Sequence, residues 1–166
     1  MKTYTLKALI DLFETNQMSI KDVTDYYLNR MHSYDEYLNS ISEINPDIHK
    51  IIRDVEHADK KSILHGIPIV IKDNIQTKDQ MHTTANSYAL KDFIAPFDAT
   101  IVKKIKEAGM IILGKSNLSE FAYFMSDQKM PSGFGSLHGQ VIHPYDRKID
   151  PLGSSTGSAV SVAADL

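Results

Sequence analysis

Two short aliphatic runs constrain the fold more than any other feature of the chain: Ile67-Pro68-Ile69-Val70-Ile71, entered from Gly66, and Met110-Ile111-Ile112-Leu113, entered from Gly109. A continuous β-branched stretch suits a strand covered on both faces, so each run predicts a buried strand. Around them the apolar period becomes helical. Leu6, Leu9, Ile10 and Phe13 recur at helical spacing, and Ser19 with Asp22 three positions later predicts an N-cap and a first-turn carboxylate opening a second helix. Val23, Tyr26, Tyr27, Arg30 and Met31 would line its inner face. Asn39 to Ile44 alternates polar and apolar like a short strand, and Asn45-Pro46 then offers a cap and a first-turn proline for a helix carrying Ile48, Ile51, Ile52 and Val55. From Asp98, the positions Ile101, Val102, Ile105 and Ala108 give another helix, closed by Gly109. This alternation of helix and strand favours an α/β fold, a partial mixed β-sheet flanked by helices.

The remaining texture is less regular. Ser126 to Gly153 is rich in Gly, Ser, Pro and polar residues, as long loops are, and such loops often carry function. Gly157 to Leu166 is small and apolar, which suits a helix closely packed by neighbours. Its end at Asp165-Leu166 lacks a C-cap signal, so the expectation is an interrupted domain. Residues 1–62 read as a helical N-terminal region and 63–166 as the start of a core, incomplete at the C-terminus.

Composition narrows the chemistry. With 166 residues, 42% hydrophobic and 23% charged, the chain belongs to the globular range. A net charge of -3 supplies no basic field for nucleic acid or anionic lipid, and neither is expected as a partner. No apolar leader follows Met1 and no stretch approaches membrane-spanning length, so a cytoplasmic location is the default expectation. Cysteine is absent, which excludes disulfides, thiolate zinc sites and a cysteine nucleophile. The seven histidines form no close helical pair, and neither a metal nor a cofactor is expected.

One motif invites a wrong reading. Gly109 to Ser116 matches the phosphate-loop pattern G-x-x-x-x-G-K-[ST] letter for letter. A phosphate loop needs those intervening residues in a turn that aims its amides at phosphate, whereas Met-Ile-Ile-Leu should commit its amides to a sheet. A helix also precedes the first glycine where a strand is required. Nucleotide binding is rejected on both grounds.

Two other features carry chemistry. Lys72, after the apolar run, reads either as an ordinary strand-end lysine with its head in water or as a desolvated amine, neutral enough to act as a base. Gly153-Ser154-Ser155-Thr156-Gly157-Ser158 reads either as a capped helix start or as a turn whose amides and hydroxyls converge on a polar group.

Together with Gly114-Lys115-Ser116-Asn117-Leu118-Ser119-Glu120-Phe121-Ala122, the segment His65 to Ile75 and the serine turn form three ordered landmarks that resemble the amidase signature family. The likeness runs from the N-terminal helices to Leu166. Leu118 to Ala122, with Phe124-Met125-Ser126 and Pro131-Ser132-Gly133, is more similar to the peptide-amidase-like bacterial branch than to the amidase component of glutamyl-tRNA amidotransferase. The resemblance implies the first part of one large amidase domain acting on small-molecule or peptide amides. It implies Lys72 as catalytic base, Ser154 as a bridging serine held by a cis peptide, and Ser155, Met125 and Ser126 as substrate-binding or turn-supporting. The family's attacking serine lies in a glycine-rich segment expected after Leu166, so this chain is expected to be inactive alone and to need that C-terminal portion as a partner. Leu152 and Thr156 depart from the pattern, standing where members usually carry glycine. Three other functions stay open: a Ser-Lys enzyme using Ser155 or Ser158 as nucleophile, a non-catalytic interaction module, and an A-subunit-like part of a glutamyl-tRNA amidotransferase.

Overall fold

In the computed structural model, which describes residues 3–124, 126 and 130–166, the N-terminal helices form where caps and apolar periods coincide. Helix α1 (Leu6–Glu14) starts from Thr5, whose hydroxyl accepts from the Ala8 amide. Helix α2 (Ile20–Leu38) starts from Ser19 in a reciprocal capping box with Asp22, as the spacing predicts. Val23, Tyr27 and Met31 are buried along its inner face. Arg30 is buried as well, because its guanidinium donates to the carbonyls of Ala164 and Asp165.

The predicted strand at 39–44 begins later than expected. Asn39 takes a left-handed conformation (φ 54°) as the C-cap of α2, a role asparagine fills at little steric cost, and strand β1 spans Ile41–Ile44. Asn45 likewise does not cap helix α3 (Ile48–Glu56) directly. Its side chain accepts from the Asp47 amide at 3.0 Å and donates to the Ile112 carbonyl at 3.2 Å, so it ties the helix entry to the sheet.

Strand β2 spans Pro68–Lys72, helix α4 spans Thr100–Glu107, and strand β3 spans Ile111–Ser116. The sheet order is β1-β3-β2, with β1 antiparallel and β2 parallel to β3. The phosphate-loop look-alike is therefore a strand, fully buried through Gly114, Lys115 and Ser116. Gly114 is required there, since a Cβ would run into the Glu43 carbonyl of β1. Burial of β2 is less complete than its sequence predicts. Ile67 and Ile71 are buried but Pro68, Ile69 and Val70 only half so, because β2 ends the sheet order and no strand pairs its outer edge among the described residues.

Alternation along β3 divides the core. Ile111 and Leu113 join Leu9, Val23, Tyr27, Met31, Ile48 and Ile52 on one face. Ile112 joins Ile71, Met81, Val102 and Ile105 on the other, beneath α4. Residues on both sides of position 62 thus share one core. Gly109 (φ 78°) terminates α4 as expected, but Ala99 is the N-cap, while Asp98 accepts from the Lys78 amide and pairs with Lys106 at 3.0 Å.

The loop-rich segment contains the short hairpin β4 (Phe134–Gly135) and β5 (Gly139–Gln140), and helix α5 (Thr156–Ala163) then returns over the sheet. Among the described residues no helix is long and apolar enough to cross a membrane, and no cluster of His, Cys, Asp or Glu could hold a metal ion.

Candidate active site

Lys72 ends β2 and pairs with Ser116 of β3, so the two side chains share a face while Ile71 and Lys115 point to the other. Helix α5 is pressed onto this end of the sheet through Gly157. Its amide donates to the Asn117 carbonyl at 2.9 Å, and the Asn117 amide donates to the Ser40 carbonyl at 2.8 Å. A Cβ on Gly157 would meet the backbone of both Ser40 and Asn117, so only glycine allows the approach.

That approach brings the serine turn to the lysine. Lys72 Nζ lies 2.8 Å from Ser154 Oγ and 2.9 Å from Ser155 Oγ. The Gly153–Ser154 peptide is cis, the conformation the resemblance implies for this serine. Behind it, the Ser154 carbonyl accepts from the Ser119 amide at 3.1 Å, and Ser119 Oγ accepts from the Gly133 amide at 2.8 Å. Ser119 is fully buried, and its two bonds tie the turn at Ser154 to the segment at Gly133.

The two departures from the glycine pattern are accommodated. Leu152 adopts φ 59°, a region glycine would enter without strain, and its side chain is 73% exposed. Thr156 is buried with its hydroxyl donating to the Leu152 carbonyl at 2.6 Å, closing the turn across the cis bond.

Electrostatics at Lys72 point one way. Burial pushes its pKa below the ordinary lysine value, and no carboxylate among the described residues raises it. The N-terminus of α5, beginning beside Ser155, adds partial positive charge that also disfavours an ammonium there. A lysine that gives up its proton readily, in contact with two hydroxyls, can accept a proton through either of them.

The other candidates divide. Ser158 Oγ lies 2.6 Å from Ser116 Oγ, an arrangement separate from the Lys72 contacts. Ser126 follows the turn at Glu120–Tyr123, and its amide donates to the Tyr123 carbonyl at 3.1 Å. Met125 lies outside the described residues. Sequence reasoning assigned no role to Ser116 or Ser119. Both stand inside the landmark from Gly114 to Ala122, but Ser116 becomes a neighbour of Lys72 only through the strand register, which no local pattern encodes.

Comparison with known proteins gives the site its context. The profile of the Amidase family matches residues 22–166. An amidase family protein from Bacillus anthracis is similar at 44% identity and a TM-score of 0.91, over 98% of this chain and 33% of that one. The peptide amidase from Stenotrophomonas maltophilia is similar at 36% identity and a TM-score of 0.87, over 95% of this chain and 33% of its own. A probable amidase from Arabidopsis thaliana is 38% identical over 98% of this chain and 33% of its own length. The chain spans about a third of the length of these structures and of the curated relatives it matches. A family profile covering most of the chain, and solved amidases that superpose on nearly all of it, show that this chain belongs to the amidase family.

Proposed function

We propose that these residues carry the proton-relay half of an amidase centre that hydrolyses carbon–nitrogen bonds in linear amides. The observation that supports this reading most directly is the 2.8 Å contact between Lys72 Nζ and Ser154 Oγ. With the amine neutral, that contact runs from the hydroxyl to nitrogen: Ser154 O–H donates to the Lys72 lone pair. An attacking serine then passes its proton to Ser154 as Ser154 passes its own to Lys72. The nucleophile's oxygen bonds to the amide carbon, the carbon–nitrogen bond breaks, and the proton returns along the same path to the departing amine. Water repeats the sequence to release the acid. No redox change or added group is required by this balance.

The attacking serine and the backbone amides that stabilise its oxyanion belong, in this reading, to sequence that the threefold longer relatives possess and these 166 residues do not. The chain alone is then inactive, since oxyanion stabilisation and nucleophile are lost together. A second reading has one observation in its favour. Ser155 is exposed and its hydroxyl lies 2.9 Å from Lys72 Nζ, so it is placed to attack by itself.

Hydrolysis of a panel of aryl and peptide amides separates the two. The comparison uses the 166-residue chain, and the same residues joined to the remaining two-thirds of the Bacillus anthracis protein, each with Ser154→Ala or Ser155→Ala. Turnover by the joined protein alone, lost with Ser154→Ala, supports the relay. Turnover by the chain itself, lost with Ser155→Ala, replaces it with the second reading.

A further inference from the structure

On the face of the sheet opposite the serine turn lies a charge that the relay does not use. Lys115 is fully buried and is among the largest side chains with no solvent contact. Its register neighbours are Ile71 on β2 and Glu43 on β1. Its ammonium donates to the Ile75 carbonyl at 2.8 Å and to Thr83 Oγ1 at 3.1 Å. Both acceptors belong to the loop that leaves Lys72. That loop is tied at other points: the Asp73 amide donates to the Ser116 carbonyl at 3.0 Å, and the Ile75 amide donates to the Lys72 carbonyl at 2.8 Å. The Asp73 carboxylate, itself buried, accepts from the Thr84 amide at 3.1 Å and from the Thr84 hydroxyl.

A fully buried lysine is an expensive way to fill space, since an aliphatic side chain of similar volume avoids the desolvation of an ammonium. What Lys115 provides that an aliphatic residue cannot is a donor fixed beneath residue 75, three positions past Lys72. We propose that Lys115 is a positioning residue for Lys72, holding the end of β2 and the turn after it so that the Lys72 amine stays desolvated against Ser154. This inference rests on the reading of Lys72 as the base. It acts through the backbone, because the two lysines point to opposite faces. The charged groups that face Lys115 are Asp73 and Asp79 on the loop, Glu43 on β1 and Lys106 on α4, and burial holds its own pKa low against the three carboxylates. Lys72 faces the hydroxyls of Ser154 and Ser155, with Ser116 as its register neighbour, and none of these titrates in the relevant range.

The test is the titration of Lys72 in the intact 166-residue chain, followed through the 13Cε signals of labelled lysine and assigned with Lys72→Arg. Lys115→Met keeps the volume and removes the donor. Thr83→Val keeps the charge of Lys115 and removes one of its anchors. Both variants should move the Lys72 midpoint upward toward 10.5, the first by about half a pH unit or more and the second by less. Both should also speed hydrogen exchange at the Ile75 amide. A low wild-type midpoint that neither variant moves overturns the positioning role and leaves the base reading intact. A shift with Lys115→Met but not with Thr83→Val reveals a through-space charge effect and also overturns it. If Lys115→Met does not fold, the Thr83→Val titration decides alone. A wild-type midpoint at or above the ordinary value sinks the reading of Lys72 as base instead.

Discussion

At the scale of single residues, two lysines sit in surroundings that differ in kind. Lys72 is half-buried against hydroxyls, whereas Lys115 is fully enclosed and bonded to a carbonyl and a threonine. Burial lowers both pKa values. Between the lowered folded value and the ordinary 10.5, the unfolded chain binds more protons than the folded one. Stability therefore rises with pH through that window and is lost as pH falls through the folded value. Urea midpoints measured across the alkaline range should climb toward 10.5 in the wild type, and the climb should flatten in Lys115→Met. A wild-type midpoint that stays level would mean the lysines are not desolvated. The lysine at the strand end was legible as a candidate from Ile67 to Ile71 alone, because five apolar residues leave a following amine little water. Its partner Ser154 was reached through the family resemblance and not from local pattern, because the contact spans 82 positions and depends on how a helix packs.

At the scale of elements, the decisive contact is α5 on the sheet, and its agent is Gly157. A methyl at that position would meet backbone of Ser40 and Asn117, neither of which can rotate away. Gly157→Ala should cost about 1–3 kcal/mol by overpacking, read from urea unfolding, and should also lengthen the Lys72–Ser154 contact. A smaller loss with unchanged Lys72 titration would show that α5 has room to shift. At the other end of the chain, Ser19→Ala removes one half of the capping box on α2 and should cost about 1 kcal/mol. Helix starts of this kind are written locally, and Ser19 with Asp22 is legible for that reason. Strand limits are less so. Asn39 takes a left-handed cap that alternation does not signal, and β3 continues through Gly114-Lys115-Ser116, where glycine and lysine break the apolar run. The burial of that stretch comes from its central place in the sheet.

At the scale of the molecule, apolar surface is left uncovered among the described residues. Val162 and Tyr145 are each 78% exposed, Leu152 73% and Tyr37 62%. Val162, Tyr145 and Tyr37 line a shared groove between α2 and α5. Apolar surface gathered in this way favours association. Sedimentation velocity should show self-association rising with concentration and weakened by Val162→Glu, while a monomer at all concentrations would contradict it. The mixed α/β class was legible in the alternation of helical and strand patterns. The order β1-β3-β2 was not, since it is set by long-range pairing.

The central claim is that Lys72 is the base of an amide-cleaving centre. The pH dependence of kcat/KM for a small aryl amide tests it most directly, in the protein joined to the remaining two-thirds of the Bacillus anthracis amidase, with and without Lys72→Ala. With Lys72 as the base, the rate should fall with acid through a single ionisation below 10.5, and Lys72→Ala should lower it by at least about a hundredfold. Turnover in Lys72→Ala comparable to the parent, with the same pH profile, would contradict it.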